Sequence, residues 1–236
     1  MSSVRLKKKY KKILFITDLH LPWVNWKAVK QAYKWAEKHE PDIVICGGDL
    51  TDQKIWSRWQ ASPDDFSPSK EYQETEKAIY KLYEMFPNMH IIRGNHDKRV
   101  LSKAIEAGIP KQMFNDISDV FNFDGWRWLD PDEHLVVNTD RGEILFKHGD
   151  EMGGTVAAKS RLLGVNYAQG HTHKATITYS NILDRSFFGL EGGTLMDTDS
   201  KAAQYACSNP VSSAVGFTII KYGIPYFIPY IKGSKL

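Results

Sequence analysis

The chain has 236 residues, 42% of them hydrophobic and 25% charged, a size and balance that fit one globular domain with a substantial core. No stretch approaches the roughly 20 consecutive apolar residues needed to span a bilayer, and the basic amino terminus has no apolar run behind it, so a soluble cytoplasmic protein without a membrane partner is expected. The formal charge of +3 comes from one segment: residues 1–12 hold Arg5, Lys7, Lys8, Lys9, Lys11 and Lys12 and no acid, and the remainder carries −3.

That segment is read as a flexible basic tail, either a nucleic-acid-binding arm or a solvated terminus, ahead of a single domain over residues 13–236. Lys12 to Thr17 is a short apolar run ending in the turn Asp18-Leu19-His20, the pattern of a buried strand feeding a loop. Ala28, Val29, Ala32, Trp35 and Ala36 then recur at helical spacing behind Asn25, a candidate N-cap. A second strand, Ile43 to Cys46, ends at Gly47-Gly48-Asp49, and Cys46 inside it reads as a small buried thiol. With Cys207 the other cysteine, no disulfide is expected.

After Asp49 comes an insertion, Gln53 to Ser69, with Trp56, Trp59 and Phe66 among polar residues; such a loop shapes substrate access or packs onto its own domain. A helix over Glu71 to Met85 and a strand over His90 to Arg93 follow, the latter running into Gly94-Asn95-His96-Asp97. This βαβαβ alternation predicts parallel strands with polar loops gathered at their carboxyl ends. Beyond residue 115 short strands dominate: Glu143 to Lys147, Asn166 to Gln169, Ala175 to Tyr179, Ala214 to Tyr222 and Pro225 to Tyr230, with one helix near Thr155 to Leu163. They imply a second, mostly antiparallel sheet and hence an α/β protein layered as an α-β-β-α sandwich.

Candidate chemistry collects at strand ends: Asp18 and His20, Asp49 and Asp52, Asn95 and His96, His148, then His171 and His173. Imidazole nitrogen and carboxylate oxygen without thiolate suit divalent manganese, zinc or iron. In this order the blocks Asp18-Leu19-His20, Gly48-Asp49-Leu50-Thr51-Asp52, Gly94-Asn95-His96-Asp97, His148 and Gly170-His171-Thr172-His173 resemble the calcineurin-like metallophosphoesterases over residues 13–173.

The resemblance implies a calcineurin-like fold of two mixed sheets and two divalent metal ions, manganese foremost. One ion would be held by Asp18, His20, Asp49 and His173, the other by Asp49, Asn95, His148 and His171. Asp49 would bridge them, since two dications roughly 3.5–4 Å apart need shared negative charge. A metal-bridging hydroxide would attack a phosphodiester or phosphomonoester, in a nucleotide or nucleic acid, with His96 as general acid and Asp52 orienting it or else capping the next segment. Arg93 is expected in a structural ion pair, Arg99 at the substrate, and Asp150 holding a loop or a histidine N–H. Gln53 and Lys54 stand where the protein phosphatases of this family carry arginine and glycine, which speaks against that specificity. Glu191-Gly192-Gly193-Thr194-Leu195 and Gly216-Phe217-Thr218 are similar to phage-borne phosphoesterases. The competing readings are a non-catalytic scaffold, as in relatives that lost key residues, and a nucleic-acid-binding accessory protein.

Overall fold

The computed structural model describes residues 2–57, 67–200 and 213–232. Strand β2 (Lys12–Ile16) leads to helix α1 (Trp26–His39), strand β3 (Ile43–Cys46), helix α2 (Pro68–Met85) and strand β4 (Met89–Ile91). Asn25 caps α1 by accepting from the backbone N–H groups of Lys27 and Ala28. β2 pairs parallel with β3 and β3 with β4, the arrangement two helical crossovers dictate.

Every apolar position of β2 is buried because both faces of its sheet are covered. Leu14 and Ile16 pack against Ala28, Val29 and Ala32 of α1 and Ile79 and Leu82 of α2. Ile13 and Phe15 point the other way, joining Ile43 and Ile45 against the second sheet, where Phe15 and Phe146 lie 5.2 Å apart between ring centres.

The second sheet follows helices α3 (Arg99–Glu106) and α4 (Ile117–Val120) and strand β5 (Trp126–Trp128). It contains β6 (His134–Thr139), β7 (Gly142–Lys147), β8 (Asn166–Gln169), β9 (Ala175–Ile182) and β10 (Arg185–Gly192), with α5 (Val156–Leu163) linking β7 to β8. Thr155 caps α5, which lies on β10 so closely that a Cβ at Gly189 would fall 2.4 Å from the Val156 carbonyl oxygen. The layers are therefore α1/α2, sheet, sheet, α5: the α-β-β-α sandwich, with one core shared by both sheets. Among the described residues no helix is long and apolar enough to cross a membrane.

Three expectations are corrected. The carboxyl-terminal hairpin, β11 (Gly216–Lys221) and β12 (Ile224–Pro229), extends the first sheet rather than the second, β11 pairing antiparallel with β2. Without it β2 would be an edge strand with apolar side chains on both faces. The second sheet is not mostly antiparallel: β7 with β8 and β8 with β10 are parallel, and only the hairpin pairs β6/β7 and β9/β10 run antiparallel.

The amino-terminal segment is strand β1 (Ser3–Lys9), paired parallel with the edge of β6. Val4 and Leu6 pack on the inter-sheet core, while Arg5, Lys7 and Lys9 are exposed, an alternation obscured in the sequence by the density of lysines. Of the insertion, Trp59 and Phe66 lie outside the described residues, as does Cys207; Cys46 is a buried free thiol.

Candidate metal centre

The carboxyl ends of β2, β3, β4, β7 and β8 meet at one edge of the sandwich, and the loops leaving them carry the polar residues singled out above. The Asp18 and Asp49 loops are stitched together: Asp18 N–H donates to the Gly48 carbonyl at 3.0 Å and His20 N–H to the Asp49 carbonyl at 2.9 Å. Left-handed backbone is concentrated here, at Asp18 (φ 53°), His20 (50°), Asp49 (50°), His171 (69°) and His173 (58°). Non-glycine residues held this way cost on the order of 1–3 kcal/mol each and persist where the surroundings fix them, as at ligand-binding sites. Gly48 also needs positive φ (100°), and a Cβ there would stand 2.6 Å from His148 Nδ1.

The donor atoms fall into adjoining groups. Asp18, His20 and His173 form one and Asp49, His148 and His171 another, with the ligand atoms of each within 4.8 Å of one another. His20 Nε2 lies 3.1 Å from His173 Nε2, and His173 Nε2 3.4 Å from Asp18 Oδ1. Asp49 Oδ2 stands between the groups, 3.2 Å from His148 Nε2 and 3.8 Å from His20 Nε2. Asn95 Oδ1 joins the second, 3.1 Å from His148 Nε2 and 3.0 Å from His171 Nδ1. All seven residues read as metal donors are thus brought together.

Outer contacts orient the inner ones. His148 donates from Nδ1 to the Gly47 carbonyl at 2.9 Å, and His20 from Nδ1 to Asp52 Oδ1 at 2.8 Å, so both present Nε2 to the cluster. Asp52 does not cap the following turn. Its Oδ1 also accepts from His96 Nδ1 at 2.6 Å, so a single oxygen fixes two imidazoles. Arg99 donates from Nη2 to His96 Nε2 at 2.9 Å and from Nη1 to the Asp52 carbonyl at 2.8 Å.

Arg93 makes the expected buried ion pair, 2.8 Å from Asp116. Burial works against the Asp116 carboxylate, but hydrogen bonds from Ser118 and Arg93 outweigh it and bring the pKa down to about 2. Asp150 contacts Lys98 at 3.1 Å rather than a histidine.

Some supporting residues carried no assignment in the sequence reading. Buried Asp97 accepts from Thr51 N–H at 2.8 Å and Gly94 N–H at 3.0 Å, tying the Asp49 loop to the Asn95 loop; its place at the end of the Gly94-Asn95-His96-Asp97 block was the available signal. Lys159 of α5 donates to Gln169 Oε1 at 2.7 Å and to the Gly149 carbonyl at 3.3 Å, beside His148. Thr172 donates to Glu191 at 2.9 Å, anchoring the His171–His173 loop.

Charge follows from this crowding. Burial opposes ionisation of Asp49, yet His148, His96 and His20 hold its carboxyl well below the usual range. Asp52 is likewise held low by its two histidines despite burial. Burial disfavours a charged His148, but Asp49 outweighs it and pushes the imidazole up to about 10. His96 and His173 also end above the ordinary value, raised by Asp49 with Asp52 and by Asp18 respectively against the effect of burial. His171 is lowered, by burial and the neighbouring His148. Buried carboxylates thus set a negative potential that draws protons, and a divalent ion would compete for the same atoms.

A family model for calcineurin-like phosphoesterases matches residues 11–185. The chain belongs to that family. The gene 54 protein of Mycobacterium phage D29 is 26% identical over 250 residues, covering 94% of this chain and 95% of the phage protein. The gene 54 protein of Mycobacterium phage L5 is 23% identical over 251 residues, with the same coverage of 94% and 95%. Among solved structures, Vacuolar Protein Sorting 29 from Cryptosporidium parvum aligns with a TM-score of 0.51 at 17% identity, over 96% of this chain and 95% of the other, a likeness of fold. The calcineurin-like family thus accounts for the two-sheet fold and for the Asp/His cluster at its carboxyl edge.

Proposed function

We propose that this chain is a dinuclear-metal phosphoesterase that hydrolyses phosphodiester or phosphomonoester bonds, with nucleotides or nucleic acid as substrates. The observation that carries the reading is the convergence of seven nitrogen- and oxygen-bearing side chains from both sheets, with His20 and His148 turned so that Nε2 faces the cluster. Asp18, His20, Asp49 and His173 would hold one cation and Asp49, Asn95, His148 and His171 the other; neutral imidazole and carboxylate oxygen suit Mn²⁺, with Zn²⁺ or iron as alternatives. Two such ions would supply Lewis acidity, acidifying a water and neutralising phosphoryl oxygens.

The remaining work falls to the protein. Asp49 shares its charge between the two groups and, through Oδ1, accepts the His96 backbone N–H at 2.8 Å, fixing His96 against the cluster. Asp52 selects the His96 tautomer that leaves Nε2 facing outward, and the raised pKa of that imidazole favours the form able to protonate a leaving oxygen. The Arg99 guanidinium, resting on Nε2, is the group an incoming phosphate would attract; its departure frees Nε2 to hold a proton while the guanidinium binds phosphoryl oxygens.

The test is hydrolysis of bis-p-nitrophenyl phosphate and p-nitrophenyl phosphate by protein loaded with manganese, alongside metal analysis. Two bound ions with turnover of either ester is the expected result. Two bound ions with no turnover would overturn the enzyme reading in favour of a scaffold. His96→Ala should keep its metal content and lose about 10²- to 10⁴-fold in kcat.

A further inference from the structure

A groove with a cavity volume of about 460 Å³ opens beside the metal centre and shares Asn95 with it. One wall is the polar face of α3 and the residue preceding it. Lys98 and Ser102, and Arg99 and Lys103, are four residues apart, so each pair projects from one side of the helix, about 6 Å along its axis. Trp56, 43% exposed, contributes an indole to the same groove.

The outer cation is engaged only lightly: Lys103 meets Glu106 at 2.7 Å with both side chains well exposed, and such a surface pair is worth about 0–1 kcal/mol and exchanges readily for a phosphate. Lys98 meets Asp150 at 3.1 Å in a half-buried pair deeper in the groove. A large exposed aromatic face opposite cations repeated at one-turn spacing is what a single nucleic-acid strand needs: a platform for a base and point charges for successive phosphates. The volume lies within the range of small-molecule sites, so the groove accommodates a nucleotide unit adjoining the one at the metal centre.

We infer that this α3 groove is a nucleotide subsite: Trp56 stacks a base and Lys103, with Lys98, binds the phosphate next to the scissile one, so the substrate is a single-stranded oligonucleotide. The inference rests on the phosphoesterase reading and adds the substrate class. It assigns Trp56 and Lys103 a role in substrate binding, with Arg99 standing between the subsite and His96. A lone phosphomonoester would leave the groove unused, whereas an oligonucleotide would gain affinity with its second residue.

The experiment uses the full-length protein loaded with manganese and a fluorescein-labelled, nuclease-resistant phosphorothioate oligothymidylate. Affinity is read by anisotropy across a salt series, for the unmodified protein and for Trp56→Ala, Trp56→Phe, Lys103→Gln and Lys103→Arg. Expected are a loss of about tenfold or more for Trp56→Ala, recovered by Trp56→Phe. Lys103→Gln should lower the dependence of log affinity on log salt by about one, with recovery by Lys103→Arg.

Both positions are solvent-facing, so the variants should keep the parent's thermal unfolding, and the salt slope and the rescues separate binding from folding. Oligothymidylate held no more tightly than inorganic phosphate, or variants that bind it as the parent does, would overturn the subsite. Turnover of bis-p-nitrophenyl phosphate by the same unmodified preparation separates the two claims. Its presence with no oligonucleotide binding removes the groove alone, whereas its absence removes the phosphoesterase reading beneath it.

Discussion

Asp52 places one oxygen under two imidazoles, 2.8 Å from His20 Nδ1 and 2.6 Å from His96 Nδ1, while its other oxygen is buried without a hydrogen-bond partner among the described residues. A carboxylate so confined acts on its neighbours' protonation. His96 loses charge preference to burial but gains more from Asp49 and Asp52, and ends above its ordinary 6.5. If the imidazolium is the working form, activity is present below that raised pKa and is lost as pH rises through it. Asp52→Asn removes part of the raising influence, so the descending limb of the kcat profile on bis-p-nitrophenyl phosphate should move toward lower pH, with kcat itself reduced. A limb that stays in place would show that His96 is not the group titrating. His148 supplies a second test, free of turnover. Because Asp49 pushes its pKa up to about 10 against burial, the ring carries a proton at neutral pH, and an ion taking Nε2 must release it. Manganese titrations followed by calorimetry at neutral pH, in buffers of different ionisation enthalpy, should report on the order of one proton released per protein. Heats that do not vary with buffer would contradict the assignment of His148 as a ligand.

At the level of elements, the ligand loops are held from outside the cluster as much as from within. Lys159 reaches from α5 to Gln169 on β8 and to the Gly149 carbonyl beside His148, an ammonium buried among ligand-bearing loops. Lys159→Met removes those bonds while keeping most of the aliphatic stem, so its main effect should be on placement of His148. Metal affinity measured by calorimetry should fall about 10- to 100-fold, the loss usual for partners of metal ligands. An affinity equal to the parent's would show that the loop is set without α5. These supports were the least legible part of the chain, because Lys159, Gln169 and Glu191 become neighbours only through the crossover from β7 to β8 and the β9–β10 hairpin. The residues proposed as ligands were legible, since each lies within four residues of the end of a short strand, as Asp18 follows Lys12–Ile16 and Asp49 follows Ile43–Cys46. Asn25, read as a candidate N-cap, marked the start of α1 for the same local reason, and the structure adds Thr155 as the cap of α5. β5 is only three residues long, and β1 has only Val4 and Leu6 facing inward before a run of lysines, so neither gave a periodic signal. Placement of β11 against β2 depends on which edge is left open, and no pattern within residues 216–221 encodes that.

For the whole molecule, the decisive feature is that the donors come from both sheets. Asp18, Asp49 and Asn95 follow strands of the first, and His148, His171 and His173 follow strands of the second. The inter-sheet core of Phe15, Ile45, Phe146 and Leu190 holds these edges in register, and cations held between them would tie the sheets a second time. Before any cation binds, the edge gathers the buried carboxylates Asp18, Asp49, Asp52 and Asp97 and a series of left-handed residues, an arrangement that costs stability for the sake of a site. A ligand that binds the folded chain and not the unfolded one stabilises it by RT ln(1 + [L]/Kd), about 2.7 kcal/mol at a hundredfold excess over Kd. For a domain of this size each kcal/mol moves Tm by roughly 2–4 °C, so saturating manganese should raise Tm by roughly 5–11 °C over protein treated with a chelator. Asp49→Asn tests whether the gain arises at the shared carboxylate. Its side chain keeps nearly the same shape but gives up the charge that both donor groups face, so most of the manganese-dependent increment should vanish while unfolding stays cooperative. A variant that gains as many degrees as the parent would place the stabilising ion somewhere other than between the two sheets.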